Sequence, residues 1–168
     1  MHALVELARR SVEEFVKNGK VVSVPEPLPA EMSERAGVFV CLKKQSQLRG
    51  CVGTFMSCCE NIAGETIRNA ISAATQDSRF PSVKEDELDA LEYSVDVLSP
   101  PEKVNDPAEL NPKEFGVILV SGQKKGLLLP DLEGVDSVDE QLRITRMKAG
   151  IFPGEKVEIF RFRVKRFG

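Results

Sequence analysis

Histidine is almost missing from this sequence. Of 168 residues only His2 is a histidine, and it stands beside the N-terminus. Chemistry that needs an imidazole in mid-chain, as general base or as zinc ligand, is thereby excluded. Cysteine is scarce too: Cys41, Cys51, Cys58 and Cys59 contain no C-x-x-C pair. The adjacent Cys58 and Cys59 are poor partners for each other and for one tetrahedral ion, so no metal site and no cofactor are expected. Neither G-x-x-x-x-G-K-[ST] nor G-x-G-x-x-G occurs, which removes the usual phosphate and dinucleotide loops. No apolar run approaches the ~18 residues of a membrane span. Residues 1–6 lack the basic start and long apolar core of a secretory signal. The expectation is a cytoplasmic protein with reduced thiols. A basic excess is also missing: 23 Lys and Arg stand against 26 Asp and Glu, net -3, which argues against a general nucleic-acid binder.

What is present reads as an ordinary folded protein. Hydrophobic residues make up 42% and charged residues 29%, a globular composition and not a disordered one. The length suits a single domain over residues 1–168, with room for two lobes, and a core that needs neither disulfide nor metal. Leu4, Leu7, Ala8, Val12 and Phe15 recur at helical spacing, and Asn18-Gly19 supplies a stop. Pro25, Pro27 and Pro29 make an extended connection. Residues 37–44 and about 48–55 read as paired strands around a turn at Lys44-Gln45-Ser46. Residues 61–76 return to the helical period, and Phe80, before Pro81, ends it. Ser82 with Glu85 reads as a capping box for a short helix through Leu88. A strand is predicted over residues 91–99, then a polar loop from Pro100 to Pro112. A hairpin follows over residues 116–121 and 126–129. Ser137 with Glu140 opens a helix that stops at Gly150, and residues 155–167 alternate as one final strand. Helices and strands are mixed, and two strand pairs have connections too short for parallel crossovers. The class is α+β with a mainly antiparallel sheet and packed helices.

The unusual stretch is Leu48-Arg49-Gly50-Cys51-Val52-Gly53-Thr54-Phe55. In a strand, Arg49, Cys51 and Gly53 point to one face and Leu48, Gly50 and Val52 to the other. A guanidinium two residues from a thiol on one face favours the nucleophilic thiolate, which makes Cys51 and Arg49 the candidate catalytic pair. Glycines inside a strand mark a bulge or a close approach, by backbone or by ligand. The alternative is architectural: a small buried cysteine, and an arginine paired with a core carboxylate.

Those residues, with Asp77-Ser78-Arg79-Phe80-Pro81, Ser94-Val95-Asp96-Val97-Leu98-Ser99 and Leu128-Leu129-Pro130-Asp131-Leu132, occur in the order found in the AMMECR-one family, which the sequence resembles over nearly its whole length. Residues 126–150 look most like the prokaryotic branch, whose members are often called protein A of the AmmeMemoRadiSam system. The resemblance implies an α+β fold with a larger and a smaller lobe and a cleft between them, and no particular reaction. It also implies possible partners, a Memo-like protein and a radical S-adenosylmethionine protein. Some relatives have a histidine shortly after the hexapeptide; residues 52–90 here have none, so any activation of Cys51 falls to arginine, backbone dipoles or carboxylates.

Gly50, Gly53, Asp77, Arg79, Asp131 and Glu133 are the candidate cleft residues. Asp77 and Arg79 either orient a polar ligand opposite Cys51 or simply pair with each other and the local backbone. Asp131 and Glu133 are either a working carboxylate pair or solvated loop residues. Arg161, Arg163 and Lys165 form a basic row on the last strand, an anion surface in one reading and edge protection in the other. Two function classes follow. One is a small cytoplasmic enzyme, or enzyme-system subunit, with thiol-dependent chemistry at Cys51. The other is a non-catalytic adaptor in which the hexapeptide maintains the fold.

Overall fold

A computed structural model describes residues 1–168 throughout. The fold is α+β, and the chain divides into two compact units, Met1–Val97 with Lys165–Gly168, and Leu98–Val164.

The first unit opens with helix α1 (Ala3–Asn18), which buries Leu4, Leu7, Ala8 and Val12 and ends at Gly19 in the left-handed conformation. The scarce histidine serves this helix. The His2 Nδ1 accepts from the Leu4 amide at 3.1 Å, and its ring stacks on Phe167 at 4.0 Å. Strands β1 (Val38–Lys44) and β2 (Gln47–Thr54) form a hairpin whose two-residue turn holds Gln45 and Ser46 at positive φ. Helix α2 (Ile62–Thr75) is capped by Asn61, whose side chain accepts from the Gly64 amide, and packs on β1, β2 and α1. Strand β3 (Leu91–Leu98) continues the inner face, with Tyr93 opposite Leu42, Val95 opposite Val40 and Val97 opposite Val38.

The second unit contains β4 (Glu102–Val104), β5 (Gly116–Ser121), β6 (Lys124–Leu128), α3 (Val138–Ala149) and β7 (Glu158–Phe162). Helix α3 is capped by Ser137, stops at left-handed Gly150 and packs on β5 and β6. Val104, Leu110, Val117, Leu128 and Val135 form this unit's core. The last strand, β8 (Val164–Phe167), belongs to the first sheet, ordered β2-β1-β3-β8; the second is ordered β4-β7-β5-β6. The described ladders of β1 with β2 and β3, of β7 with β4 and β5, and of β5 with β6 are all antiparallel.

Three local expectations are corrected. Residues 155–167 are two strands in different sheets, interrupted at Arg163, whose amide is bound by the Ser99 hydroxyl. The basic row therefore does not exist as one face: Arg161 and Arg163 bracket the Phe115 ring at 4.3 and 4.5 Å, while Lys165 lies on β8. Ser82 caps no helix. Its hydroxyl donates to the Thr75 carbonyl, and the 3₁₀ helix Glu85–Ala90 is opened by Glu87, whose carboxylate accepts from the Lys84 amide at 2.8 Å. The polar stretch after Pro101 holds β4 and a 3₁₀ turn, Pro107–Glu109, since a three-residue strand leaves too little alternation to read. No helix is long and apolar enough to cross a membrane.

Candidate functional site

The site is set by a β-bulge. Along the β1–β2 ladder Lys44 faces Gln47 and Lys43 faces Leu48, but Leu42 faces Gly50, so Arg49 is the extra residue. One consequence is that Leu48, opposite Lys43, shares a face with Cys51, opposite Cys41. Arg49 leaves that row, which corrects the expectation of a guanidinium beside the thiol. Its Nε and Nη2 donate to the two carboxylate oxygens of Glu87, each at 3.1 Å, and Lys44 Nζ reaches the same Glu87 at 3.1 Å. This bidentate contact, together with the Lys84 amide and Lys44, holds the Glu87 carboxyl down at about 2. Arg49 is 11% exposed and its Nη1 is buried without a partner, so the arginine is committed to the fold.

The second consequence is that the register shift places Cys41 directly opposite Cys51, Cα to Cα 4.1 Å, with the two sulfurs bonded. The expected reduced state is thus corrected for these two residues, whereas Cys58 and Cys59 are free. So close a spacing marks a pair that exchanges no backbone hydrogen bonds, and the Cys51 amide points away from β1. Asp77 meets it there. Its Oδ2 accepts from the Cys51 amide at 3.0 Å, and its carboxylate also accepts from the Arg79 amide, Nε and Nη2. Arg79 above all, then the amides of Cys51 and Arg79, hold the buried Asp77 well below the usual carboxylate range. The Asp77–Arg79 pair therefore grips the backbone behind the sulfur, with Arg79 Nη2 also 3.5 Å from the Cys51 carbonyl.

The glycines have packing roles. A Cβ at Gly50 would collide with the Ala73 carbonyl of α2, and one at Gly53 would enter the Phe39 ring that covers it across the strands. Asp131 and Glu133 are exposed in the second unit; Asp131 has φ 57°, and its amide donates to the Pro112 carbonyl. No group of three or more His, Cys, Asp or Glu side chains is placed to hold a metal ion.

Sequence reasoning missed Cys41, Glu87 and Glu65. Glu65 is fully buried in α2, and its carboxylate accepts from the Thr54 hydroxyl and the amides of Cys58 and Cys59, at 2.7, 2.7 and 3.0 Å. Asn69 extends this network to Thr54 and to the Val38 carbonyl. Burial first, then the Glu65 charge, push the Cys59 thiol up, away from thiolate character. The available signal for Glu65 and Asn69 was two polar residues four apart on the apolar stripe of α2.

Known proteins are similar to this chain over nearly its whole length. A protein of Thermotoga maritima is 53% identical over 169 residues, covering 99% of this chain and 97% of its own length. A Clostridium acetobutylicum protein is 48% identical across 96% of this chain, which spans 35% of that longer relative. The crystal structure of uncharacterized protein PH0010 from Pyrococcus horikoshii superimposes with a TM-score of 0.89 at 37% identity, over 97% of this chain and 88% of that one. With the AMMECR1 family profile matching residues 5–167, the hexapeptide, its bulge and both sheets fall inside one family boundary, and the chain belongs to the AMMECR1 family.

Proposed function

We propose that this protein is a cytoplasmic enzyme, or enzyme-system subunit, working by thiol–disulfide exchange at Cys51 with Cys41 as the resolving thiol. The observation that carries the reading is the direct opposition of two half-buried cysteines on neighbouring strands, sulfur bonded to sulfur. In a reducing cytoplasm disulfides are chiefly transient, catalytic or redox-sensing. The reduced pair would act on a substrate disulfide in two displacements. The Cys51 thiolate attacks one substrate sulfur, forming a mixed disulfide and expelling the first substrate thiolate. The Cys41 thiolate then attacks Cys51 Sγ, expelling the second and closing the Cys41–Cys51 bond. Two electrons pass to the substrate, and the two thiol protons end on the released thiols. Asp77 fixes the Cys51 backbone during both displacements.

Bis(2-hydroxyethyl) disulfide tests the reading. Reduced wild type should consume it and end internally oxidised, while Cys41→Ser should accumulate a stable adduct on Cys51. No consumption by wild type and no adduct on Cys41→Ser contradict it. A specific observation favours a second reading, a non-catalytic adaptor for Memo-like and radical S-adenosylmethionine partners: Arg49, Gly50 and Gly53 are all occupied in packing. Co-purification with such partners that survives Cys51→Ser supports the adaptor, and loss of it in folded Cys51→Ser counts against it.

A further inference from the structure

Residues 20–24 behave as a strand without a sheet. Lys20, Val21 and Ser23 are exposed, Val21 at 64%, while Val22 and Val24 turn inward against the first unit's core. This is the alternation of a half-buried strand. Yet the backbone of residues 20–28 enters no hydrogen bond with other protein groups, although these residues lie beside a hydrogen-bonded helix end. Alongside runs an open groove of about 750 Å³ between this segment and the C-terminal half of α1.

The groove has a charge preference. Arg10, Lys17 and Lys20 line it, and none has an ion-pair partner within the chain. Of the lining carboxylates, Glu13 is neutralised by Arg9 at 2.8 Å from outside the groove, leaving Glu14 and Glu26 against three cations. A second copy of this chain would bring the same three cations together with Glu14 and Glu26, and so offers less complementary charge than an acidic peptide.

We propose that residues 20–24 form an interaction surface that takes an extended acidic peptide from a partner protein by strand addition. Backbone pairing supplies the affinity, Arg10, Lys17 and Lys20 select the acidic residues, and Pro25, which lacks an amide hydrogen, ends the ladder. The surface is independent of the Cys41–Cys51 reading, because none of its residues touches that pair.

The test uses the full chain and a fluorescein-labelled peptide of alternating glutamate and valine, seven residues long, with a lysine–valine counterpart and a proline-interrupted acidic control. The acidic peptide should bind and slow amide hydrogen exchange at Val21–Val24 at least about tenfold. Lys17→Glu with Lys20→Glu should weaken binding at least about tenfold, and both control peptides should bind more weakly. Absence of binding at millimolar peptide overturns the proposal. So does binding without amide protection, which would mark a charge patch only, and so does self-association through this segment, which would make the occupant a second copy.

Discussion

Replacing Glu87 by glutamine removes one charge and almost no volume, and reads what the carboxylate's contacts with Arg49, Lys44 and the Lys84 amide contribute together, Arg49 foremost. The Glu87 carboxyl lies at about 2 in the folded protein against an ordinary 4.5. That gap of about 2.5 pH units, at about 1.4 kcal/mol per unit, corresponds to about 3–4 kcal/mol. The side chains are 16% and 11% exposed, so solvent screens the pair little. An independent route gives a similar figure: removing one partner of a buried pair typically costs 3–5 kcal/mol, because the other charge stays buried and uncompensated. Glu87→Gln should therefore lower stability at pH 7 by about 3 kcal/mol. For a urea m-value of about 2 kcal/mol/M this shifts the midpoint by about 1.5 M. The sign with pH follows from the lowered folded value. The stabilisation is complete above 4.5 and is lost as pH falls through 4.5 towards 2, so wild type and variant converge on acidification. Lys44→Met is the internal control: Lys44 is 36% exposed, and its contact should be worth less than about 1 kcal/mol. A loss below about 1 kcal/mol in Glu87→Gln, or a difference unchanged between pH 7 and pH 3, would refute the reasoning.

Other perturbations read other parts of the site. Asp77→Ala leaves the Cys51 amide and the Arg79 guanidinium without their acceptor, and should cost about 1–3 kcal/mol in denaturant melts while speeding exchange of the Cys51 amide. Unchanged exchange there would contradict the assignment. Gly50→Ala forces a methyl into the Ala73 carbonyl and should cost about 2 kcal/mol or more. Glu65→Gln must present an amide donor to the Thr54 hydroxyl or to the Cys58 and Cys59 amides, and should lower stability by about 1–3 kcal/mol and expose Cys59 to faster alkylation.

Much of the fold is legible because it rests on local patterns. The alternation of β1 and β3, the Asn18-Gly19 and Gly150 stops and the Ser137 cap each express one rule at one place. The site is less legible because it hinges on a single inserted residue. A two-residue turn at Gln45-Ser46 carried outward without a bulge pairs Leu42 with Arg49 and Cys41 with Gly50. Only the extra residue at Arg49 brings Cys41 opposite Cys51 and sends the guanidinium to Glu87. Gly50 was the available hint, since glycine in a strand marks bulges and close approaches, and here both occur together. Glu87 was hidden for another reason: the helix before β3 starts at Glu85 and is opened by Glu87, where Ser82 with Glu85 gave the stronger sequence pattern. The break at Arg163 was invisible because strict alternation in residues 155–167 is the same whether the chain stays in one sheet or crosses to another.

The Cys41–Cys51 pair as a reversible dithiol centre is the central claim, and thiol mapping across glutathione buffers tests it most directly. Protein equilibrated at each ratio of reduced to oxidised glutathione is quenched, alkylated and mapped by mass spectrometry. The account predicts that Cys41 and Cys51 leave the alkylated pool together, in one two-electron transition to a linked peptide, while Cys58 and Cys59 remain alkylated, Cys59 the more slowly. Alkylation of all four cysteines at every ratio, or linkage of Cys51 to any cysteine other than Cys41, would contradict it.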